Sequence, residues 1–151
     1  MAEKQVLTAA SVRRSAQLFN LLAVASTVLS ISLFSIGMLV ADKKMAFLPM
    51  AMSLPPLMIW LAASIFVYAS IAHHPNLEVR HFNKWGGYRY YGVVGTLTVL
   101  ANDIASLPGG WGLVWAIFFT ALVPWSVYDI WRAGKRPWQD MEVDKDPQPH
   151  H

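Results

Sequence analysis

Apolar residues along the chain fall into four long runs separated by short polar segments. The runs cover about residues 18–40, 46–72, 88–107 and 111–131. A helix of about 20 apolar residues crosses the roughly 30 Å hydrocarbon core of a bilayer. The pattern therefore predicts an all-α integral membrane protein with four transmembrane helices, formed by residues 18–131.

The polar segments indicate how the helices are connected. Residues 1–17 precede the first run, and residues 132–151 form a polar tail. We expect the part of the tail after Trp138 to be mobile. The turns after the first and third runs are short, so the helices are predicted to form two antiparallel hairpins packed side by side. Residues 73–87 are predicted to be the only long internal loop, which ends at the Gly86-Gly87 pair.

Prolines interrupt the second run at Pro55 and Pro56. Proline lacks the amide donor and clashes with the preceding turn of a helix, so the helix either kinks at this pair or begins there. In the second case, residues 45–52 lie along the membrane interface. The sequence leaves both alternatives open.

Basic residues predict the orientation. In the four-span arrangement, ten of the twelve Lys and Arg residues lie on the side that holds both chain ends, and only Lys43 and Lys44 lie on the other. Cytoplasmic segments carry the excess of Lys and Arg. We therefore expect a multi-pass protein of the bacterial inner membrane with both termini in the cytoplasm.

Composition supports a membrane protein and narrows the chemistry. Hydrophobic residues make up 55% of the chain and charged residues 14%, against about 25% charged residues in soluble domains. The chain has no cysteine, so it has no c-type haem or iron–sulfur cluster of its own. The net charge of +3 fits basic residues beside lipid headgroups. We expect contacts with membrane lipids and no nucleic-acid partner, and we assign no cofactor.

Asp103 is the clearest functional candidate, because a charged residue inside a membrane span costs about 2.5–3.5 kcal/mol at the centre of the bilayer. Polar and small residues recur beside it at spacings of three and four, which places them on one face of the third helix. This face either lines a transport path or packs against another helix, and packing is our preferred interpretation. The residues of this face are Gly92, Thr96, Val99, Asp103 and Ser106. Asn102 is a further candidate for transport or packing, and Gly95 for helix packing.

Two groups of residues contain metal-ligand types. His74, Glu78 and His81 would share a helix face and suit Zn or Fe, if the segment after Pro75 is helical. Thioether sulfurs are soft ligands that suit Cu(I), and methionines cluster near the start of the second run. Our preferred interpretation is a solvated loop for the first group and apolar packing for the second. The cluster consists of Met38, Met45, Met50, Met52 and Met58, of which Met45, Met50 and Met52 are the candidate ligands.

Further residues indicate helix packing. Small side chains allow helices in a membrane to approach closely. The first helix carries such a stripe at Ala23, Ser26, Ser30 and Gly37. Asp129 lies one turn from Arg132, and we expect it to form a simple interfacial ion pair there.

The sequence lacks the motifs of an enzyme that acts alone, such as a Ser-His-Asp arrangement or a phosphate-binding glycine loop. The first hypothesis is a non-catalytic accessory or assembly subunit of a larger bacterial inner-membrane complex. It would pack laterally, through small-residue and aromatic faces, against other integral membrane subunits or itself. One alternative is a small homo-oligomeric transporter or channel with Asp103 in its path. The other is a redox or monooxygenase-associated membrane subunit.

Overall fold

Four helices and one small sheet make up the computed structural model, which describes residues 4–144. The mainly helical fold predicted from the sequence is confirmed. The elements are β1 (Lys4–Leu7), α1 (Ala9–Val40), a 3₁₀ turn (Lys43–Met45), α2 (Leu48–Ala72), α3 (Leu77–Ala105), α4 (Gly110–Lys135) and β2 (Met141–Asp144).

Helix α1 begins well before the first apolar run. Thr8 caps it, since its hydroxyl oxygen accepts a hydrogen bond from the Ser11 amide at 3.3 Å. The Ala9 amide donates to Asp140 Oδ1 at 2.6 Å. A carboxylate at a helix N-terminus is favoured by the helix dipole, so the C-terminal segment stabilises the start of α1.

Helix α2 begins at Leu48 and continues through Pro55 and Pro56. The interpretation in which this helix starts at Pro55-Pro56 is therefore wrong. Pro49 lies in the first turn, where a missing amide donor leaves no intrahelical bond unmade. The helix can start this early because Pro49 fits the first turn.

The predicted loop at residues 73–87 is also wrong, because α3 begins at Leu77. Asn76 Oδ1 accepts hydrogen bonds from the Glu78 amide at 2.9 Å and the Val79 amide at 3.2 Å, which caps the helix. Gly86 and Gly87 are buried inside α3. They do not break the helix.

The turn between α3 and α4 uses glycine for its backbone conformation. Gly109 has φ 112° and Gly110 has φ 55°, values that only glycine adopts without strain. Helix α3 ends at Ala105 and α4 runs on to Lys135, so α4 extends one turn past the predicted end of its span.

Helix α1 packs against all three other helices, most extensively against α2, whereas α2 and α3 touch less. Aromatic side chains form the core between the helices, with Phe19 against Trp60 at a ring-centroid distance of 5.3 Å. Near the chain ends a second core forms around Val12, Val79 and Phe82. The bundle therefore has a continuous interior at α1 and a looser seam between α2 and α3.

The first part of the polar tail, as far as Asp144, folds back on the start of the described chain. Strand β2 pairs antiparallel with β1, with Leu7 opposite Met141. Trp138 anchors the segment, since its Nε1 donates to the Ala133 carbonyl oxygen at 2.7 Å. The two ends of the described chain thus meet at one end of the bundle. Residues 145–151 of the predicted tail lie outside the described residues.

Within residues 4–144, three helices are long and apolar enough to cross a membrane. The mean hydropathy of an 18-residue window is 2.1 in α1, 1.8 in the segment Lys43–Ala72 and 1.6 in α4. The membrane assignment is therefore supported for three of the four predicted spans. Helix α3 is less apolar because it carries three tyrosines, Arg89 and Asp103.

Candidate functional site

A buried ion pair joins α3 to α4 inside the bundle. Arg89 Nη2 lies 2.7 Å from Asp129 Oδ2, and the two side chains are only 20% and 10% exposed. Arg89 Nη1 also donates to Ser126 Oγ at 3.3 Å and to Asn20 Oδ1 at 3.5 Å. The guanidinium therefore contacts polar groups of both α1 and α4.

A glycine brings the third helix close enough to form this cluster, which we call the Arg89 cluster (Asn20, Arg89, Ser126 and Asp129). A Cβ atom added at Gly86 would lie 2.9 Å from Asn20 Oδ1, tighter than side chains tolerate. The absence of a side chain at Gly86 thus lets α3 approach Asn20 of α1.

The chemistry of the Arg89 cluster is that of a structural link. Its carboxylate and guanidinium neutralise each other, and a buried pair with additional hydrogen bonds holds its helices in one arrangement. The expected partner of Asp129 was the basic group at Arg132. The structure corrects this, because Asp129 is buried and points to Arg89 on the neighbouring helix.

The polar face predicted on α3 points away from the bundle. Gly92, Gly95, Thr96, Asn102 and Asp103 are all exposed. A Cβ atom added at Gly92 or Gly95 would meet nothing within 4 Å. Val99 is 78% exposed. We call Gly92, Gly95, Thr96, Val99 and Asp103 the α3 outer face; within residues 4–144 it lies on the outside of the bundle.

Asn102 and Ser106 lie beside the α3 outer face, near the end of the helix. Ser106 caps α3 and its Oγ donates to the Asp103 carbonyl oxygen at 2.6 Å. Asn102 borders an apolar groove of about 350 Å³ between α2, α3 and α4, which Leu57, Leu97 and Trp115 also line. A groove of this composition suits a lipid acyl chain.

The histidine group does not assemble as a metal site. Within residues 4–144, no group of three or more His, Cys, Asp and Glu side chains is arranged to hold a metal ion. His74 Nδ1 accepts from the Asn76 amide at 3.1 Å, Glu78 lies 3.7 Å from Arg136, and His81 packs on Trp85. Burial lowers the pKa of His74, and the charge of Arg80 acts in the same direction.

The three candidate methionines lie in different surroundings. Met45 lies in the 3₁₀ turn and is 39% exposed. Met50 borders the apolar groove. Met52 follows two residues later on α2, so its side chain points to a different side of that helix. Met50 therefore has the packing role expected of methionine in an apolar gap.

The small residues of α1 lie mostly at helix contacts. Ala23 and Ser30 are buried, and Ser26 is partly buried with its Oγ bonded to the Ala23 carbonyl oxygen at 3.0 Å. At Gly37, a Cβ atom would lie 2.5 Å from the Pro49 Cα atom. The backbones of α1 and α2 thus approach closely at this end of the bundle.

No protein-family model, curated protein or solved structure matches the chain. The assignment of a function therefore rests on the geometry of the bundle and of its outer faces.

Sequence reasoning missed the Arg89 cluster, although a signal for it was present. Asn20, Arg89 and Asp129 each lie within two residues of one end of a predicted apolar run, and these three ends fall on the same side of the four-span arrangement. Polar residues at one depth on neighbouring helices indicate contact. Arg89 was instead counted with the residues flanking the membrane.

Proposed function

We propose that this protein is a non-catalytic accessory or assembly subunit of a larger bacterial inner-membrane complex, and that it binds a neighbouring integral membrane subunit through the α3 outer face. The observation that carries the proposal is the outward position of Asp103 on a helix of the membrane bundle. Its carboxylate forms no ion pair with any residue in 4–144.

The physical argument is the free energy of an unpaired carboxylate in contact with lipid. A charged group costs about 2.5–3.5 kcal/mol at the bilayer centre and less near the interface. A donor from a second membrane protein removes this cost. The open space at Gly92 and Gly95 lets the backbone of a partner helix come close, as small residues do at membrane helix interfaces.

The proposal includes four spans with both chain ends in the cytoplasm. Helix α3 has 29 residues, about 44 Å at 1.5 Å per residue, which exceeds the hydrocarbon core. The pairing of β1 with β2 puts both ends of the described chain together, which supports an even number of crossings. The excess of Lys and Arg at this end of the bundle supports its location on the cytoplasmic side of the membrane.

The transporter alternative requires a second copy of the chain, because Asp103 lies on the outside of a single bundle. A path along this face would exist only between copies. The redox alternative draws no support from residues 4–144, since no group of His, Cys, Asp and Glu side chains among them is arranged to hold a metal ion. The role of an accessory subunit is therefore the better-supported interpretation.

We expect Gly92→Leu to disrupt the interface and leave the bundle folded. A Cβ atom at this exposed position meets nothing within 4 Å in the described chain. A leucine side chain here would occupy the space of a closely packed partner helix, and overpacking costs about 1–3 kcal/mol. Co-purification of the partner from native membranes in mild detergent should fall about tenfold or more. Ala62→Leu, at an exposed position of α2, is the matched control and should leave recovery unchanged.

Two outcomes would refute the accessory role. One is recovery of the parent protein as a free monomer from native membranes, and the other is full partner recovery with Gly92→Leu. If the recovered partner is only a second copy of the chain, flux in proteoliposomes decides between the alternatives. Loss of flux on Asp103→Asn, in a variant that still folds, would establish the transporter.

A further inference from the structure

A small cavity opens between α3 and α4 near the end of the bundle where the chain ends meet. Residues one turn apart on α3 face residues spaced by three and four on α4, so two helix faces line this open cavity. Its volume is about 260 Å³, smaller than ordinary ligand pockets of about 300–1,000 Å³. We call this the aromatic–basic cavity, and it is lined by His81, Phe82, Trp85, Arg89, Trp125, Tyr128, Asp129 and Arg132.

Aromatic rings form the mouth of the cavity. Trp85 is 53%, Trp125 62% and Tyr128 50% exposed, so their rings face the surroundings of the bundle. Trp and Tyr are enriched where a membrane protein crosses the headgroup level. The mouth of the cavity therefore lies at the depth of lipid headgroups on the basic side of the protein.

The interior of the cavity carries an excess of positive charge. Asp129 already pairs with Arg89 at 2.7 Å, which leaves Arg132 as the second guanidinium. Arg132 lies over the Phe82 ring at 5.0 Å and forms no ion pair with any residue in 4–144. Its buried Nε has no hydrogen-bond partner in this part of the chain.

We propose that the aromatic–basic cavity binds the phosphate of an anionic phospholipid from the cytoplasmic leaflet. A planar guanidinium matches phosphate oxygens in charge and in hydrogen-bond geometry. The cavity is large enough for a headgroup alone, so the acyl chains lie outside it, against the exposed faces of Trp85 and Trp125. The proposal rests on the bundle lying in a membrane and not on the identity of any protein partner.

The site is separate from the α3 outer face in its chemistry. The outer face offers a carboxylate and open space at two glycines, which would repel an anionic headgroup. The cavity offers a cation between aromatic rings. A failure of lipid binding would therefore not count against the partner interface. Loss of the protein partner would likewise not count against lipid binding in the cavity.

The test uses the purified full chain in detergent with phosphatidylglycerol and phosphatidylcholine of identical acyl chains in equal amounts. Native mass spectrometry measures the ratio of the two lipids bound per protein. We expect the parent protein to favour phosphatidylglycerol and Arg132→Gln to lower that preference about fivefold, the effect of one basic residue near an anionic surface. Lys135→Gln is the matched control, since Lys135 lies over the Trp131 ring outside the cavity; it should retain the preference.

Three results would overturn the proposal. The first is a parent protein without preference for phosphatidylglycerol, which needs no variant. The second is an equal loss for Arg132→Gln and Lys135→Gln, which indicates general surface charge. The third is displacement of the lipid by an equal concentration of inorganic phosphate, which indicates a site for the free ion.

A second variant covers the case in which Arg132→Gln does not fold. Trp125→Ala removes an exposed ring at the mouth, so it leaves the core intact. Because the ring contacts the bound lipid in this proposal, retained phosphatidylglycerol should fall about twofold or more. Unchanged retention in folded Trp125→Ala protein would contradict the proposal.

Discussion

Asp129→Asn is expected to destabilise the bundle by about 3–5 kcal/mol, since it leaves the buried Arg89 guanidinium without its counter-charge. The substitution changes the charge and barely changes the volume, so lost packing contributes little. Arg89→Leu should have an effect of similar size, because it leaves the Asp129 carboxylate unpaired. Unfolding of the purified protein by a denaturing detergent measures both.

The double variant Arg89→Leu/Asp129→Asn separates charge from packing. It carries no unpaired charge, so it should be more stable than the sum of the two single effects predicts. Glu142→Gln is the control, because the Lys4–Glu142 pair at 3.0 Å is well exposed and such pairs contribute about 0–1 kcal/mol. Single variants that unfold like Glu142→Gln would show that the pair is not a structural link.

Gly37→Ala is the second substitution with a large expected effect. Overpacking should lower the free energy of unfolding by about 1–3 kcal/mol. The added Cβ atom would lie 2.5 Å from the Pro49 Cα atom. Since this neighbour is backbone and not the end of a flexible side chain, α1 and α2 must move apart. The loss should appear as a lower melting temperature in mild detergent.

Gly112→Ala is the matched control, because the same substitution at this helical glycine is not expected to destabilise the bundle. A Cβ atom there meets nothing within 4 Å, and Ala is favoured over Gly in a helix by about 0.5–1 kcal/mol. This variant should melt at or above the temperature of the parent protein. Equal melting temperatures for Gly37→Ala and Gly112→Ala would mean that α1 and α2 do not pack closely at Pro49.

The helical class followed from the sequence because apolar run length is a strong signal in membrane proteins. Helix boundaries did not follow, for identifiable reasons. The polar first turns of α3 lie outside the apolar run, and the cap at Asn76 was not recognised. The Gly86-Gly87 pair resembles a break in the sequence, but in the structure it is a contact surface for Asn20 and Tyr68.

The candidate residues, like the helix boundaries, could be predicted only in part. The residues on one face of α3 were identified from their spacing, yet spacing does not say whether a face points inward or outward. That depends on which side of α3 packs against α1 and α4. The partner of Asp129 depends on the same packing, which brings Arg89 of another helix closer than the neighbouring turn.

The strands show a further limit. Lys4–Leu7 and Met141–Asp144 are only four residues long, so the alternation of apolar and polar residues in MEVD is too short to indicate a strand. Their pairing follows from the bundle, which brings the two chain ends together. Long-range pairing of this kind is not encoded in either segment alone.

The most direct test of the account is the side of the membrane on which the α3–α4 turn lies. The chain has no cysteine. In variants with a single cysteine at Asp42, Asn76, Ser106 or Gln139, a membrane-impermeant maleimide can therefore label this protein only at the introduced residue. Four spans predict labelling of Asp42→Cys and Ser106→Cys from the periplasmic side of intact cells, and of Asn76→Cys and Gln139→Cys only after the membrane is opened. Protection of Ser106→Cys in intact cells would show that α3 does not cross the membrane and would contradict the account.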